Sequence, residues 1–135
     1  MPKSQVSVEY MFVMGFATLI TIPLLLIYYT YTAESSDSVA AGQAMEISRK
    51  IVDSAETVYY LGKPSQTTLK LNFPDNIQSI NLSSREVVFR MKLQSGVTDI
   101  VQVSAVNLSG SLPISQGIHV LTIKAEDNYV QITSN

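Results

Sequence analysis

The chain has 135 residues, enough for one domain and an additional element, and its formal net charge of −2 excludes a general nucleic-acid binder, which needs a basic excess. It contains no cysteine, which excludes disulfides, thiolate catalysis and Cys-ligated metal sites. Hydrophobic residues make up 46% of the chain and are concentrated near its beginning, so their distribution is more informative than their number.

A short polar leader, residues 1–9, precedes a long apolar run. Residues 10–31 are 22 consecutive residues without a charge. As an α-helix they span about 33 Å, which matches a membrane hydrocarbon core of about 30 Å. Pro23 removes one backbone donor and predicts a bend or a loosened turn within this helix. The run therefore predicts a transmembrane helix.

Two other interpretations of the apolar run are less favourable. A cleaved secretory signal has an apolar region of about 7–15 residues followed by a small-x-small cleavage site. This run is longer, and the best cleavage site, before Glu34, pairs Ala33 with the bulky Tyr31. A buried core helix is also disfavoured, because the rest of the chain is too small to surround it.

An amphipathic segment follows the apolar run. The polar stretch 32–38 either ends one helix and caps the next through Asp37 or Ser38, or is a solvated turn within one continuous helix. Beyond it, apolar residues recur at steps of three or four, as on one face of a helix over 38–61. They are Ala40, Ala44, Ile47, Ile51, Ala55, Val58 and Leu61. Gly62 and Pro64 predict that the helix ends near Leu61.

From Thr67 onward the hydrophobic period changes to two, which is typical of strands. Strand-like segments cover 68–73, 85–93, 97–106, 118–125 and 128–134, and turn signals lie at 74–76, 94–96, 107–113 and 126–128. The predicted fold class is therefore α+β. A long N-terminal helix, residues 5–62, packs its amphipathic part on an antiparallel, meander-like sheet of five or six strands, which forms a head of residues 65–135.

The charges and sequons predict the orientation in the membrane. Lys3 is the basic residue nearest the apolar run, which places the N-terminus in the cytoplasm and the head outside. Two N-x-S tripeptides, beginning at Asn81 and Asn107, are possible N-glycosylation sites and agree with an external head.

The leader itself carries a motif. Lys3 and Ser4 precede Gln5-Val-Ser7-Val-Glu9, and the apolar run begins directly after Glu9. A carboxylate at bilayer depth costs about 2.5–3.5 kcal/mol. Glu9, at the start of the apolar run, is therefore an unusual residue for this position. The segment resembles the class III signal peptide of archaeal type IV pilin-like proteins, in which a basic and a small residue precede Q-x-S-x-E and an apolar helix. Val13 stands where the family commonly has Leu.

The resemblance implies how the chain is processed and assembled. A prepilin-peptidase-like enzyme would cut between Ser4 and Gln5, removing residues 1–4 and leaving the apolar helix on the mature protein. Glu9 would then serve assembly by meeting the terminal amine of a neighbouring subunit. The family's lollipop-like subunits leave the membrane through an assembly platform and its ATPase. They polymerise through their N-terminal helices into extracellular filaments, often adhesive ones.

The remaining residues favour a structural protein over an enzyme, with no cofactor and no metal. His119 is the single histidine and lies in a predicted strand, where a surface or half-buried position is expected. Neither a G-x-S-x-G elbow nor a phosphate-binding glycine loop nor a metal-ligand spacing is present in the sequence. One alternative to a filament subunit stays open: a single-pass, signal-anchored surface protein or minor pilin whose head binds a ligand.

Overall fold

The computed structural model describes the backbone of residues 3–135 and the side chains from Gln5 onward. Met1 and Pro2 of the predicted leader, and the side chains of Lys3 and Ser4, lie outside the described residues. The chain divides into two compact units, with the boundary between Ser36 and Asp37. The first unit holds the apolar half of a helix, and the second holds its amphipathic half and seven strands.

A single helix, α1, runs from Lys3 to Leu61. Residues 32–38 are helical throughout, so the continuous-helix alternative holds and Asp37 caps no second helix. Pro23 lies inside α1. The helix ends at Leu61 as predicted, because Gly62 adopts the left-handed conformation with φ 78°. Its N–H donates to the carbonyls of Tyr59 at 3.0 Å and Val58 at 3.2 Å, which satisfies the last turn.

Seven strands follow α1 and form two sheets. They are β1 (Gln66–Phe73), β2 (Ile77–Ser83), β3 (Glu86–Leu93), β4 (Gly96–Val103), β5 (Leu108–Gly110), β6 (Gly117–Ala125) and β7 (Val130–Ser134). One sheet has the order β1-β6-β7-β5 and the other β2-β3-β4. The predicted α+β class is confirmed. The single five- or six-stranded meander is wrong, because β1 pairs with the distant β6 and β5 pairs parallel to β7.

The hydrophobic pattern of the sequence does not reveal β2 and β5, for separate physical reasons. In β2 the register shifts between Ile77 and Ser79, so its inward-facing residues are spaced by three and then two, and the period is hidden. The three residues of β5 lie inside the predicted turn 107–113 and are held by parallel pairing with β7. The Cβ of any residue other than glycine at position 110 would collide with the backbone carbonyl of Ile132.

The core of the second unit lies between the amphipathic half of α1 and the sheets. The predicted stripe is buried except at its end, where Leu61 is 70% exposed. Ser48 and Val52 widen the buried face, and the Ser48 hydroxyl donates to the Met45 carbonyl at 2.8 Å. From the sheets, Phe73 and Phe89 meet edge to face with ring centroids 6.1 Å apart. Tyr59 packs against this core, and Tyr60 is exposed.

Carboxylates on α1 and near β7 fasten loops of the second unit. Glu56 accepts a hydrogen bond from the Ala105 N–H at 2.8 Å, and Asp37 accepts one from the Ser95 N–H at 3.2 Å. Lys63, directly after α1, lies 2.8 Å from Glu126 and 2.9 Å from Asp127. These hydrogen bonds raise the pKa of Lys63 and lower that of Glu126, where Lys124 also contributes.

Candidate functional site

The predicted signal motif occupies the first turns of α1. The side chains of Gln5, Ser7 and Glu9 are exposed. Gln5 and Glu9 are four residues apart and share one face of the helix, whereas Ser7 points to another. The Ser4–Gln5 bond lies in the first turn, where the backbone N–H groups lack helical partners.

The apolar segment after Glu9 finds no partner within the described chain. α1 is long and apolar enough to cross a membrane, and none of its most apolar stretch is buried. Large side chains such as Met11, Phe12 and Leu19 are 71%, 74% and 69% exposed. An exposed apolar surface of this length is typical of a helix that crosses a membrane or packs against other chains.

Threonine hydroxyls in the apolar segment and directly after it are hydrogen-bonded to the backbone of the same helix. Four threonines donate to the carbonyl four residues earlier at 2.6–2.9 Å. They are Thr18, Thr21, Thr30 and Thr32. In hydrocarbon an unpaired polar group costs several kcal/mol, so this internal pairing makes the segment compatible with lipid or with a dry contact between helices.

Gly15 opens a shallow apolar groove on this segment. The groove is lined by Val8, Met11, Phe12, Phe16 and Leu19, one continuous face of α1. A Cβ placed on Gly15 would meet nothing within 4 Å, so no contact within the chain requires a glycine at this position.

Tyrosines gather where the apolar segment ends. Tyr28, Tyr29 and Tyr31 are 65%, 71% and 72% exposed. The rings of Tyr28 and Tyr29 lie edge to face, with centroids 6.2 Å apart. Amphipathic aromatic rings of this kind are typical of the membrane–water interface.

The two sequons differ in their surroundings. Asn81 lies in β2, an outer strand of the three-stranded sheet, and is exposed. Asn107 is half-buried, and its Nδ2 donates to the Asn128 carbonyl at 3.3 Å. The next residue, Leu108, is buried and begins β5.

The histidine is used to hold a loop. His119 is half-buried, in agreement with the expectation for a lone strand histidine, and packs on the Phe73 ring at a centroid distance of 5.2 Å. Its Nε2 lies 2.8 Å from the Ser115 carbonyl and 3.2 Å from the Ser115 hydroxyl. A nitrogen that donates to the carbonyl cannot also accept the hydroxyl proton, so this pair is not arranged for nucleophilic catalysis.

Several carboxylates of the second unit form ion pairs. Arg90 binds Asp99 through two hydrogen bonds of 2.8 and 2.7 Å, which lowers the pKa of Asp99. Glu126 and Asp127 pair with Lys63. Asp75 and Glu86 lie beside turns at strand ends. Within residues 3–135, no group of three or more His, Asp or Glu side chains is placed to hold a metal ion.

A polar groove lies beside β1 in the second unit. It runs between the end of α1 and the first residues of β1, and is lined in part by Asp53, Ser54, Thr57, Gln66 and Thr67. β1 is an outer strand of its sheet, so backbone groups on that side have no neighbouring strand. This groove therefore combines polar side chains with the unpaired edge of a strand.

Comparison with known proteins gives no relative from which a function can be taken: no protein-family model, no curated protein and no solved structure matches the chain.

Proposed function

We propose that this protein is a pilin-like structural subunit of an extracellular, type IV pilus-like filament that serves surface adhesion. One observation carries the proposal. A helical segment of membrane length leaves its large apolar side chains exposed and follows directly on Gln5-x-Ser7-x-Glu9. Such a segment serves as a membrane anchor before assembly and as a hydrophobic filament core afterwards.

The first step is processing. A prepilin-peptidase-like enzyme on the cytoplasmic side cuts between Ser4 and Gln5, and the apolar helix stays on the mature chain. The position of this bond in the unpaired first turn of α1 supports the step. An assembly platform with its ATPase then extracts the subunit from the lipid.

Glu9 registers one subunit against the next. A lone carboxylate withdrawn into a bundle of apolar helices loses its hydration, and pairing with the terminal ammonium of a neighbour offsets part of that loss. Glu9 is exposed on α1, and residues 10–31 beyond it contain no charge. The ion pair thus supplies a fixed axial register rather than much net stability.

The orientation follows from the flanking residues. Lys3 favours a cytoplasmic N-terminus, and the exposed tyrosines from Tyr28 to Tyr31 suit the outer interface. The second unit then lies outside the cell and becomes the filament surface. The contact between subunits is heterologous and open-ended, which is the symmetry of a filament.

The decisive experiment is to purify surface filaments from the protein's own cells and measure the mass of the N-terminal fragment. We expect a mature N-terminus at Gln5. Ser4→Ile and Gln5→Pro should leave the longer precursor in the membrane, whereas the matched variant Val13→Leu should be processed normally. A monomeric membrane protein with an intact leader would contradict the proposal.

The second candidate is a single-pass surface protein, or a minor pilin, whose head binds a ligand without forming the main filament. The polar groove beside β1 favours it, because outer strands commonly recruit extended peptides. The same preparation separates the two functions. The second candidate predicts a chain absent from filaments or present only at their tips, and a ligand contact that Thr67→Arg abolishes.

A further inference from the structure

The outer face of the three-stranded sheet carries an unusual set of apolar residues. On β4, Val101 is 51% exposed and Val103 is 68% exposed. Val88 on β3 is half-buried and lies opposite Val101. We name Val88, Val101 and Val103 the valine patch. Exposed apolar residues on an outer strand invite association unless something covers them.

The strand register places a sequon beside this patch. Asn81 on β2 is paired with Val88, which is in turn paired with Val101. The three residues therefore form one row across the sheet. Directly opposed side chains in such a row lie about 5 Å apart. They share the outer face, because Ile80 and Leu82 on either side of Asn81 pack inward against the core.

We propose that Asn81 carries an N-linked oligosaccharide that lies over the valine patch, and that Asn107 is left unmodified. The inference rests on the proposed function in one respect, namely that the head lies outside the cytoplasm. A sugar ring has apolar C–H faces that pack on valine side chains, while its hydroxyls remain in water. The occupant of the patch is thus attached to the neighbouring strand of the same sheet.

The chemistry is a group transfer from a lipid-phosphate-linked oligosaccharide. The Asn81 Nδ2 forms a bond to the anomeric carbon of the first sugar, and the anomeric C–O bond breaks. The lipid phosphate leaves with the electron pair, and Nδ2 loses one proton to a base of the transferase. The Asn-Leu-Ser tripeptide ending at Ser83 supplies the recognition sequence.

The surroundings of Asn107 argue against the same reaction there. The nitrogen that would accept the sugar donates to the Asn128 carbonyl at 3.3 Å. The Asn107 carbonyl accepts from the Val130 N–H at 2.8 Å, and Leu108 is 4% exposed. Modification at Asn107 would need this junction between β5 and β7 to open, whereas Asn81 is accessible in the folded sheet.

The test uses full-length protein from its own cells. Trypsin separates the two sequons, because residues 71–85 and 93–124 contain no internal lysine and end in Arg85 and Lys124. We expect added sugar mass on the first peptide alone. It should be lost in Asn81→Gln and Ser83→Ala, and retained in Ser83→Thr and Asn107→Gln. A bare Asn81, or sugar on Asn107, would overturn the assignment.

The same digest distinguishes failure of this inference from failure of the proposed function. The N-terminal fragment reports independently whether the chain begins at Gln5. A bare Asn81 on a chain that begins at Gln5 refutes the glycan alone. A fragment that begins before Gln5 in all of the protein refutes the processing.

Coverage of the patch is tested with a single cysteine, since the natural chain has none. Val101→Cys should react several-fold more slowly with a bulky maleimide in the glycosylated protein than in the Asn81→Gln background. Ile118→Cys is the matched control, because Ile118 is 63% exposed on β6 of the other sheet. Equal rates for Val101→Cys in both backgrounds would show that the sugar does not lie over the patch.

Discussion

The two halves of α1 obey the same helical geometry and differ in where their apolar side chains go. In the half from Asp37 onward, eight residues are buried against the strands of the same chain. They are Ala40, Ala44, Ile47, Ser48, Ile51, Val52, Ala55 and Val58. In the half that precedes it, the large apolar residues from Val8 to Tyr31 are exposed. Hydrophobic burial is therefore completed within the chain in one half, whereas the other half has no covering partner within the described residues.

The largest expected difference between the two halves comes from placing the same charge in each of them. Ile51 is fully buried, so Ile51→Asp buries an unpaired carboxylate and should lower the free energy of unfolding of the head by more than about 4 kcal/mol. Leu19→Asp should leave the head's unfolding unchanged and impair membrane insertion, with a cost of about 2.5–3.5 kcal/mol. Thermal unfolding in detergent and membrane fractionation measure the two effects.

The conservative variant Ile51→Val serves as the control for this pair, with an expected loss of about 0.5–1.5 kcal/mol. A folded head in Ile51→Asp would refute the packing of α1 on the sheets. Unfolding of the head in Leu19→Asp would show that the two halves are not independent.

Glu9 tests what the apolar half does outside the membrane. Glu9→Ala should leave processing and insertion intact and lower filament yield sharply. The physical reason is loss of the proposed ion pair that would fix the register of neighbouring subunits. Glu9→Gln is the informative companion, because it keeps the size and hydrogen bonding and removes the charge. Filament counts by electron microscopy, normalised to mature protein, give the answer; normal counts for both variants would reject the pairing.

Gly110 tests how strongly the sheet of the second unit depends on one close approach. Gly110→Ala drives a Cβ into the Ile132 carbonyl at a φ of 136°, so we expect a loss of about 1–3 kcal/mol. Gly42→Ala is the matched control, because Gly42 lies in α1 with nothing near its missing Cβ. It should be neutral or stabilise by up to about 1 kcal/mol. The denaturant midpoints of the two variants are compared. A lower midpoint for Gly110→Ala alone is due to the backbone collision and not to the replacement of a glycine as such.

The smallest expected effect is the dependence of the head on acid. Lys63 and Lys124 lower the pKa of Glu126 from 4.5, and Arg90 lowers that of Asp99 from 3.8. Groups with lowered pKa values bind more protons when unfolded, so their contribution is present above the unfolded values and is lost as the pH falls through the folded values. The melting temperature should therefore decline modestly below about pH 4.5.

Glu126→Gln should flatten this decline without lowering the stability at pH 7 by much, since exposed ion pairs are weak. The apolar half offers the contrast, because its segment 10–31 has no carboxylate to titrate. If Glu126→Gln loses stability in acid as the natural protein does, the ion pairs of Glu126 with Lys63 and Lys124 contribute nothing to the pH dependence.

The α+β class, the end of α1 at Leu61 and the buried helical face followed from local rules. The step of three or four between Ala40 and Val58 is a helical period, and the Gly62-x-Pro64 pair is a stop signal. The alternation of Val87, Phe89 and Met91 likewise located β3 and its inner face. Leu61 departs from the pattern: it is the last residue of α1 and is 70% exposed.

The pairing of strands did not follow from local rules. β1 joins β6 across more than forty residues, and β5 is a strand only because β7 lies parallel to it. The bulge between Ile77 and Ser79 concealed β2. The hydrogen bond from the Ala105 N–H to Glu56 also cannot be read from the sequence, since the two residues are 49 positions apart.

By itself, the sequence determined a membrane-length helix behind a charged motif, an amphipathic continuation and a β-rich head, because hydrophobic periodicity and length are local properties of the chain. Tertiary structure alone decided that the head is two sheets, that Asn81 shares a row with Val88 and Val101, and that Asn107 is held by Asn128. The physical reason is that register and burial depend on which distant strands meet.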